Sequence, residues 1–248
     1  MTSNKGKQIR GARSEAWTKR AIIGRVQLFL FLCVMEMALV IAYVCSFLIR
    51  PRSERSSDPG YTSAILVGSY ESMGWIEAHV EPLRRACDPG RVGLVTSTYD
   101  DRLKGIEQFV PAGWARRVFG HSVARLLVLL RATIREHPDV IVGYHIMPNA
   151  IFSVIAGKCT GARTVYQMTS GPPQLIGGGY GCGNPIQRKM EFPSSLIERM
   201  LFRWVRRSDC VVVRGSTAKD FVQRNRLGSN CEIITAAINT RKFSPSVT

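Results

Sequence analysis

No C-x-x-C pair occurs among the seven cysteines, at positions 33, 45, 87, 159, 182, 210 and 231. That spacing argues against a disulfide framework or a zinc ribbon and fits isolated small hydrophobes in a reducing compartment. The four histidines (79, 121, 137, 145) are scattered, so no metal site is expected. There is no G-x-G-x-x-G; Gly68 and Gly74 bracket a looser loop, which argues against the standard dinucleotide fingerprint. A Walker-type G-x-x-x-x-G-K-[ST] is missing too, which excludes a P-loop ATPase, and without G-x-S-x-G there is no nucleophile elbow. Acidic residues are scarce: 18 Asp and Glu face 34 Lys and Arg, a net charge of +16. Such a surface attracts a membrane, nucleic acid or phosphate-bearing substrates. The basic residues are spread along the chain and no zinc finger, helix-turn-helix or RNA-recognition signature accompanies them, so nucleic acid is not an expected partner.

What is present divides the chain into four parts. Residues 1–20 are polar and basic and read as a disordered tail. Residues 21–49 carry an apolar run, clearest over 26–49, of about the length that crosses a bilayer as a helix. Gln27 stands at its edge and Glu36 near its middle, where a carboxylate is costly unless it is protonated, paired or at a helix contact. A single transmembrane anchor is the leading reading. A helix lying in the interface and a cleaved signal sequence are the alternatives. Residues 50–60, rich in Pro, Ser and Gly, read as a linker. The basic N-terminus favours the cytoplasmic side and would put a following domain outside, although Arg50, Arg52 and Arg55 on the far flank weaken that orientation.

Residues 61–248 read as an α/β domain. Short apolar runs (64–67, 91–96, 140–142, 163–168, 210–213, 231–234) alternate with helical stretches (75–86, 121–136, the run after Asn149, 194–207, 216–225). In the helix over 194–207, Leu196, Ile197, Met200, Leu201 and Val205 are expected to face the sheet, with Arg199, Arg203, Arg206 and Arg207 on the rim. The predicted fold is a three-layer, Rossmann-like domain with a parallel sheet, preceded by one apolar helix. Ligands of such sheets sit beyond the C-terminal strand ends. That points to residues 138–183, where one strand ends at His145 and the next runs into the glycine-rich stretch around Gly171 and Gly177 to Gly183.

The motifs then come in a familiar order: ILVGSYESMGWIEAHV from Ile65, PDVIVGYH from Pro138, YQMTSGP from Tyr166, DCVVVRGS from Asp209 and INTRKFSP from Ile238. Together they resemble the N-terminal, acceptor-side domain of retaining GT-B glycosyltransferases of the family 4 type. The resemblance implies a transferase acting in a cleft between two such domains. The co-substrate would be a nucleotide-diphosphate sugar, held mainly by a second domain that begins after the INTRKFSP segment. It implies that residues 1–248 need a separate GT-B C-terminal subunit as partner, or else are an inactive fragment or a scaffold in glycan assembly. No cofactor is expected to bind tightly, and membrane lipid is a further expected partner. Because nucleotide-sugars are chiefly cytosolic, the domain is expected on the cytoplasmic side of a membrane.

Within that resemblance His145 is the candidate catalytic residue, its imidazole steadying developing charge at the transferred sugar or the acceptor. Gly74, Ser72 and Glu71 would contact acceptor or donor from the first strand's loop, and Thr169, Ser170 and Gly171 would line the cleft. Arg214 would face phosphate. The run Gly177 to Gly183 would act as a mobile lid or acceptor loop.

Overall fold

The computed structural model describes residues 3–48, 62–68, 73–87, 91–101, 103, 105–184 and 186–235. Its centre is a sheet of seven parallel strands in the order β3-β2-β1-β4-β5-β6-β7. They are β1 (Ala64–Val67), β2 (Val92–Val95), β3 (Glu107–Phe109), β4 (Val140–Tyr144), β5 (Arg163–Gln167), β6 (Cys210–Val213) and β7 (Cys231–Ile233). All four residues of β1 and of β2 are buried, as expected for strands covered on both faces. The order reverses at β1, which pairs with β2 on one side and with β4 on the other, Val67 standing opposite both Val95 and Gly143. That reversal is the switch point of a Rossmann-like domain. The three-layer α/β architecture read from the sequence is therefore the observed one.

Two aspartates just ahead of strands set the register at the N-terminal edge. Asp139 Oδ2 accepts from the Ser63 backbone N–H and hydroxyl at 2.8 and 2.9 Å. Asp209 Oδ2 does the same with Thr164, at 2.7 and 2.8 Å. The aspartates of the PDVIV and DCVVV motifs are thus clamps between neighbouring strands, on the edge opposite the ligand side.

Helix α2 (Met73–Ala86) covers one face, with Val80 and Cys87 against β1 and β2. The other face carries α3 (Gly113–Glu136), α4 (Ile151–Thr160), α5 (Ser195–Arg206) and α6 (Ser216–Arg224). Helix α4 lies so close to β4 that a Cβ on Gly143 would stand 2.5 Å from Ala150 Cα and 2.7 Å from Ser153 Oγ. Helix α3 starts earlier than its sequence periodicity suggests and breaks at Gly120, whose φ is 75°. It turns Ala124, Leu126, Leu129 and Ala132 inward, leaving Val123, Leu127 and Ile134 exposed. Helix α5 is capped by the Ser194 side chain and buries Ile197, Leu201, Trp204 and Val205. Leu196, expected to face the sheet, is exposed, because Trp204 shifts the buried stripe by part of a turn.

The largest departure concerns the N-terminus. Helix α1 runs from Ser3 to Leu48, so most of the segment expected as a disordered tail is helical. No proline interrupts it before Pro51, and a helix propagates readily from a portion held by packing. Its apolar portion, Ile22–Phe47, has a mean hydropathy of 2.5 and is long enough to cross a membrane. Yet it does not stand away from the domain. Leu28, Leu32, Met35 and Ala42 are buried in the main core with α4, and Leu39 packs beside them. Glu36 is ion-paired to Arg207 at 2.8 Å, so Arg207 is turned inward instead of sitting on the solvent rim. The linker residues 50–60 and the INTRKFSP segment lie outside the described residues.

Candidate functional site

His145 leaves the C-terminal end of β4 beside the switch point. Its backbone is at φ 61° and ψ 147°, a conformation glycine adopts far more readily than a residue with a Cβ. Two neighbours hold it. The His145 N–H donates to Gln167 O at 3.3 Å, and its ring Nδ1 is 2.8 Å from Thr169 Oγ1. Thr169 is buried and also accepts from Gln174 Nε2 at 3.4 Å. The Gln174 side-chain oxygen Oε1 in turn accepts from the Ile146 N–H at 3.2 Å and the Tyr166 hydroxyl at 3.1 Å. Thr169 therefore serves to orient the imidazole, with its hydroxyl committed to that task.

A second histidine, which sequence reasoning left among the scattered ones, joins the same edge. His79 rises from α2 and meets the ring of Tyr144 edge-on, 5.2 Å between centroids. One ring nitrogen, Nε2, lies 3.4 Å from Arg214 Nη2 at the end of β6, and the other, Nδ1, lies 3.5 Å from the Gln167 amide. Arginine can only donate and a neutral imidazole accepts at one nitrogen alone. Arg214 Nη2 therefore donates to His79 Nε2, while Nδ1 faces the amide nitrogen of Gln167. Burial, and then the Arg214 charge, push the His79 pKa down to about 4. The same two causes lower that of His145. At neutral pH the site thus presents two uncharged imidazoles beside one permanent guanidinium charge.

A signal for His79 was available: it lies on the inner stripe of α2, one turn from Leu83 and next to buried Val80. A polar ring on an apolar stripe at the ligand edge is a candidate by position. Gln167, Gln174 and Tyr144 carried no comparable signal, since they resemble ordinary strand and loop residues.

The other expected residues are placed unevenly. Arg214 is at the site, on the exposed rim past β6. Ser170 is exposed beside Thr169, and Gly171 opens the turn after it with φ 69°. Gly74 is exposed in the first turn of α2, with open space around it. Glu71 and Ser72 lie outside the described residues. The glycine stretch differs from a free lid. Gly177, Gly178 and Gly179 are buried, all at positive φ, and the buried Gln187 side chain donates to Gln174 O and Gly178 O at 2.8 and 3.0 Å. Gly177, Gly178 and Gly179 serve close packing, whereas Gly181 and Gly183 have open space around them. Among the described residues no three His, Cys, Asp or Glu side chains gather where they could hold a metal.

No protein-family model matches the sequence, and no curated protein matches it. Solved structures superpose on part of it. UGT73P12 of Glycyrrhiza uralensis, solved with glycyrrhetinic acid 3-O-monoglucuronide, superposes with a TM-score of 0.46 at 11% identity, over 69% of this chain and 48% of that one. A UGT transferase of Siraitia grosvenorii, in complex with UDP, gives 0.44 at 10% identity, over 74% and 51%. A candidate UDP-N-acetylglucosamine 2-epimerase of Listeria monocytogenes gives 0.42 at 9% identity, over 67% and 43%. The chain spans about half the length of the structures it matches. The chemistry has to come from the site itself.

Proposed function

We propose that this chain is the acceptor-handling half of a retaining glycosyltransferase that uses a nucleotide-diphosphate sugar. The nucleotide would be held by a donor-binding half outside residues 1–248. The observation that carries the reading is His145: a neutral imidazole at the switch point, kept in a strained backbone conformation and oriented by a buried threonine. Such strain persists where the surroundings over-determine it, and it gathers at working sites. The order of motifs from Ile65 to Pro245 supports the same reading.

In the reaction the bond between the sugar's anomeric carbon and the diphosphate oxygen breaks, its electron pair leaving with the diphosphate. The acceptor oxygen bonds to that carbon from the same face, and the acceptor's proton passes to the departing phosphate. His145 would hydrogen-bond the transferred sugar with a ring N–H, its ring orientation held by Thr169. Arg214 would stabilise negative charge growing on the leaving group, and His79, accepting from Arg214, would hold the guanidinium in place.

The test uses membranes of the source cells. Depleting the chain should lower transfer of labelled sugar from nucleotide-sugars to the membrane fraction. Adding back the wild-type chain should restore it, while His145→Ala should restore less than a hundredth. Unchanged transfer after depletion, or full rescue by His145→Ala, would overturn the reading.

A further inference from the structure

Helix α1 is apolar on two opposite sides, and the domain occupies only one of them. Leu28, Leu32, Met35 and Ala42 fill the inner stripe. Val26, Leu30, Val34, Met37, Ile41 and Val44 form the outer one, each at least half exposed, Met37 at 64%. They recur every three or four residues along the Ile22–Phe47 portion. The apolar surface continues onto the start of α5, where Phe192 and Leu196 are both 53% exposed. Arg25 joins the two, donating to Pro193 O at 3.3 Å with its guanidinium over the Phe192 ring. A margin of cations follows on α5, where Arg199, Arg203 and Arg206 are exposed. A monomeric surface in water rarely carries an apolar band of this length.

We propose that this band is seated in one leaflet of an anionic lipid bilayer, with α1 lying in the membrane plane and still docked on the domain. A spanning helix is ringed by lipid on every side. Here the inner stripe is occupied by α4, and the Glu36–Arg207 pair ties the middle of the helix to the end of α5. Crossing would pull α4 and that ion pair toward the hydrocarbon, or strip them off and leave Glu36 uncompensated. Lying flat costs neither. An in-plane helix sinks about 5–10 Å into the headgroup boundary, which the outer stripe satisfies without disturbing the inner one. The arginine margin then meets anionic headgroups. The Arg25 end of α1 adjoins Pro193, and Ser194 N–H donates to Gly177 O in the loop that follows β5. The ligand edge is thereby held near the headgroup layer. This inference stands on α1 and α5 alone, and its readout is vesicle binding, whatever the chemistry of the site.

The full chain, tagged at both ends, is mixed with vesicles of phosphatidylcholine, with or without phosphatidylserine, and floated. Strong flotation is expected, increased by phosphatidylserine. Added protease should remove both tags from vesicle-bound protein, because both ends stay on one side. Met37→Asp with Ile41→Asp should reduce flotation at least tenfold while leaving thermal unfolding in detergent unchanged, and Val44→Asp should act in the same direction. Full protection of one tag would show a spanning helix and overturn the proposal. So would undiminished flotation of the aspartate variants. A third overturning result is a loss of self-association in those variants with flotation intact, which would assign the band to a second copy of the chain.

Discussion

His79 and His145 differ from surface histidines in that burial and a neighbouring arginine keep both rings neutral. The sign of the pH effect follows directly. The unfolded chain takes up these protons near the ordinary histidine pKa of about 6.5, whereas folded His79 does so only near 4. The unfolded state therefore binds more protons between those values, and stability falls as pH drops from about 6.5 towards 4. Replacing His79 with Gln should flatten that part of a melting-temperature profile. An unchanged slope would mean that the ring titrates freely in the folded state. Glu81, whose carboxyl is held down at about 2 chiefly by its hydrogen bond from Arg84, adds its own loss of stability as pH falls below about 4.5, so the His79 effect is read above that.

At the scale of the elements, close approach decides what each segment tolerates. The glycine stretch after β5 looks flexible in composition but is held by contacts. A Cβ on Gly179, at φ +81°, would lie 2.0 Å from Gln187 Nε2 and 2.7 Å from Gln174 O, whereas Gly181 has open space. Gly179→Ala should destabilise by more than about 2 kcal/mol, since left-handed strain and overpacking add. Gly181→Ala should stay within about 0.5 kcal/mol. Urea denaturation of the pair checks this; equal midpoints would show that the stretch is not packed as described. The comparison also separates composition from structure: a run of glycines signals freedom of backbone, but only the contacts of Gln187 and Pro193 turn that freedom into a tight turn.

For the molecule as a whole, the site faces outward from a single ligand edge. The guanidinium of Arg214 is one charge, too few to hold a diphosphate tightly in water, where an exposed ion pair contributes at most about 1 kcal/mol. Isothermal calorimetry of residues 1–248 with nucleotide-sugars should therefore show no tight binding. Micromolar affinity would overturn the division of labour proposed above, because it would place the donor on this wall alone.

The succession of strands and helices along the chain, the strand-ending position of His145 and the exposed Arg199, Arg203 and Arg206 of α5 were readable from apolar runs and their punctuation, because each is a local property of the chain; the order of the strands within the sheet was not. The clamps at Asp139 and Asp209 were visible as residues but not as clamps, since their partners Ser63 and Thr164 are 76 and 45 positions away. The same distance in sequence hid the pairing of His79 with Arg214, 135 positions apart, and that of Glu36 with Arg207, 171 apart. Periodicity registers which side of a helix is apolar; it carries no information on which partner covers that side. In α1, where both sides are apolar, the sequence determined only that a long helix must bury itself in something. Packing against α4 decided which half the protein covers itself and which half it leaves for another medium.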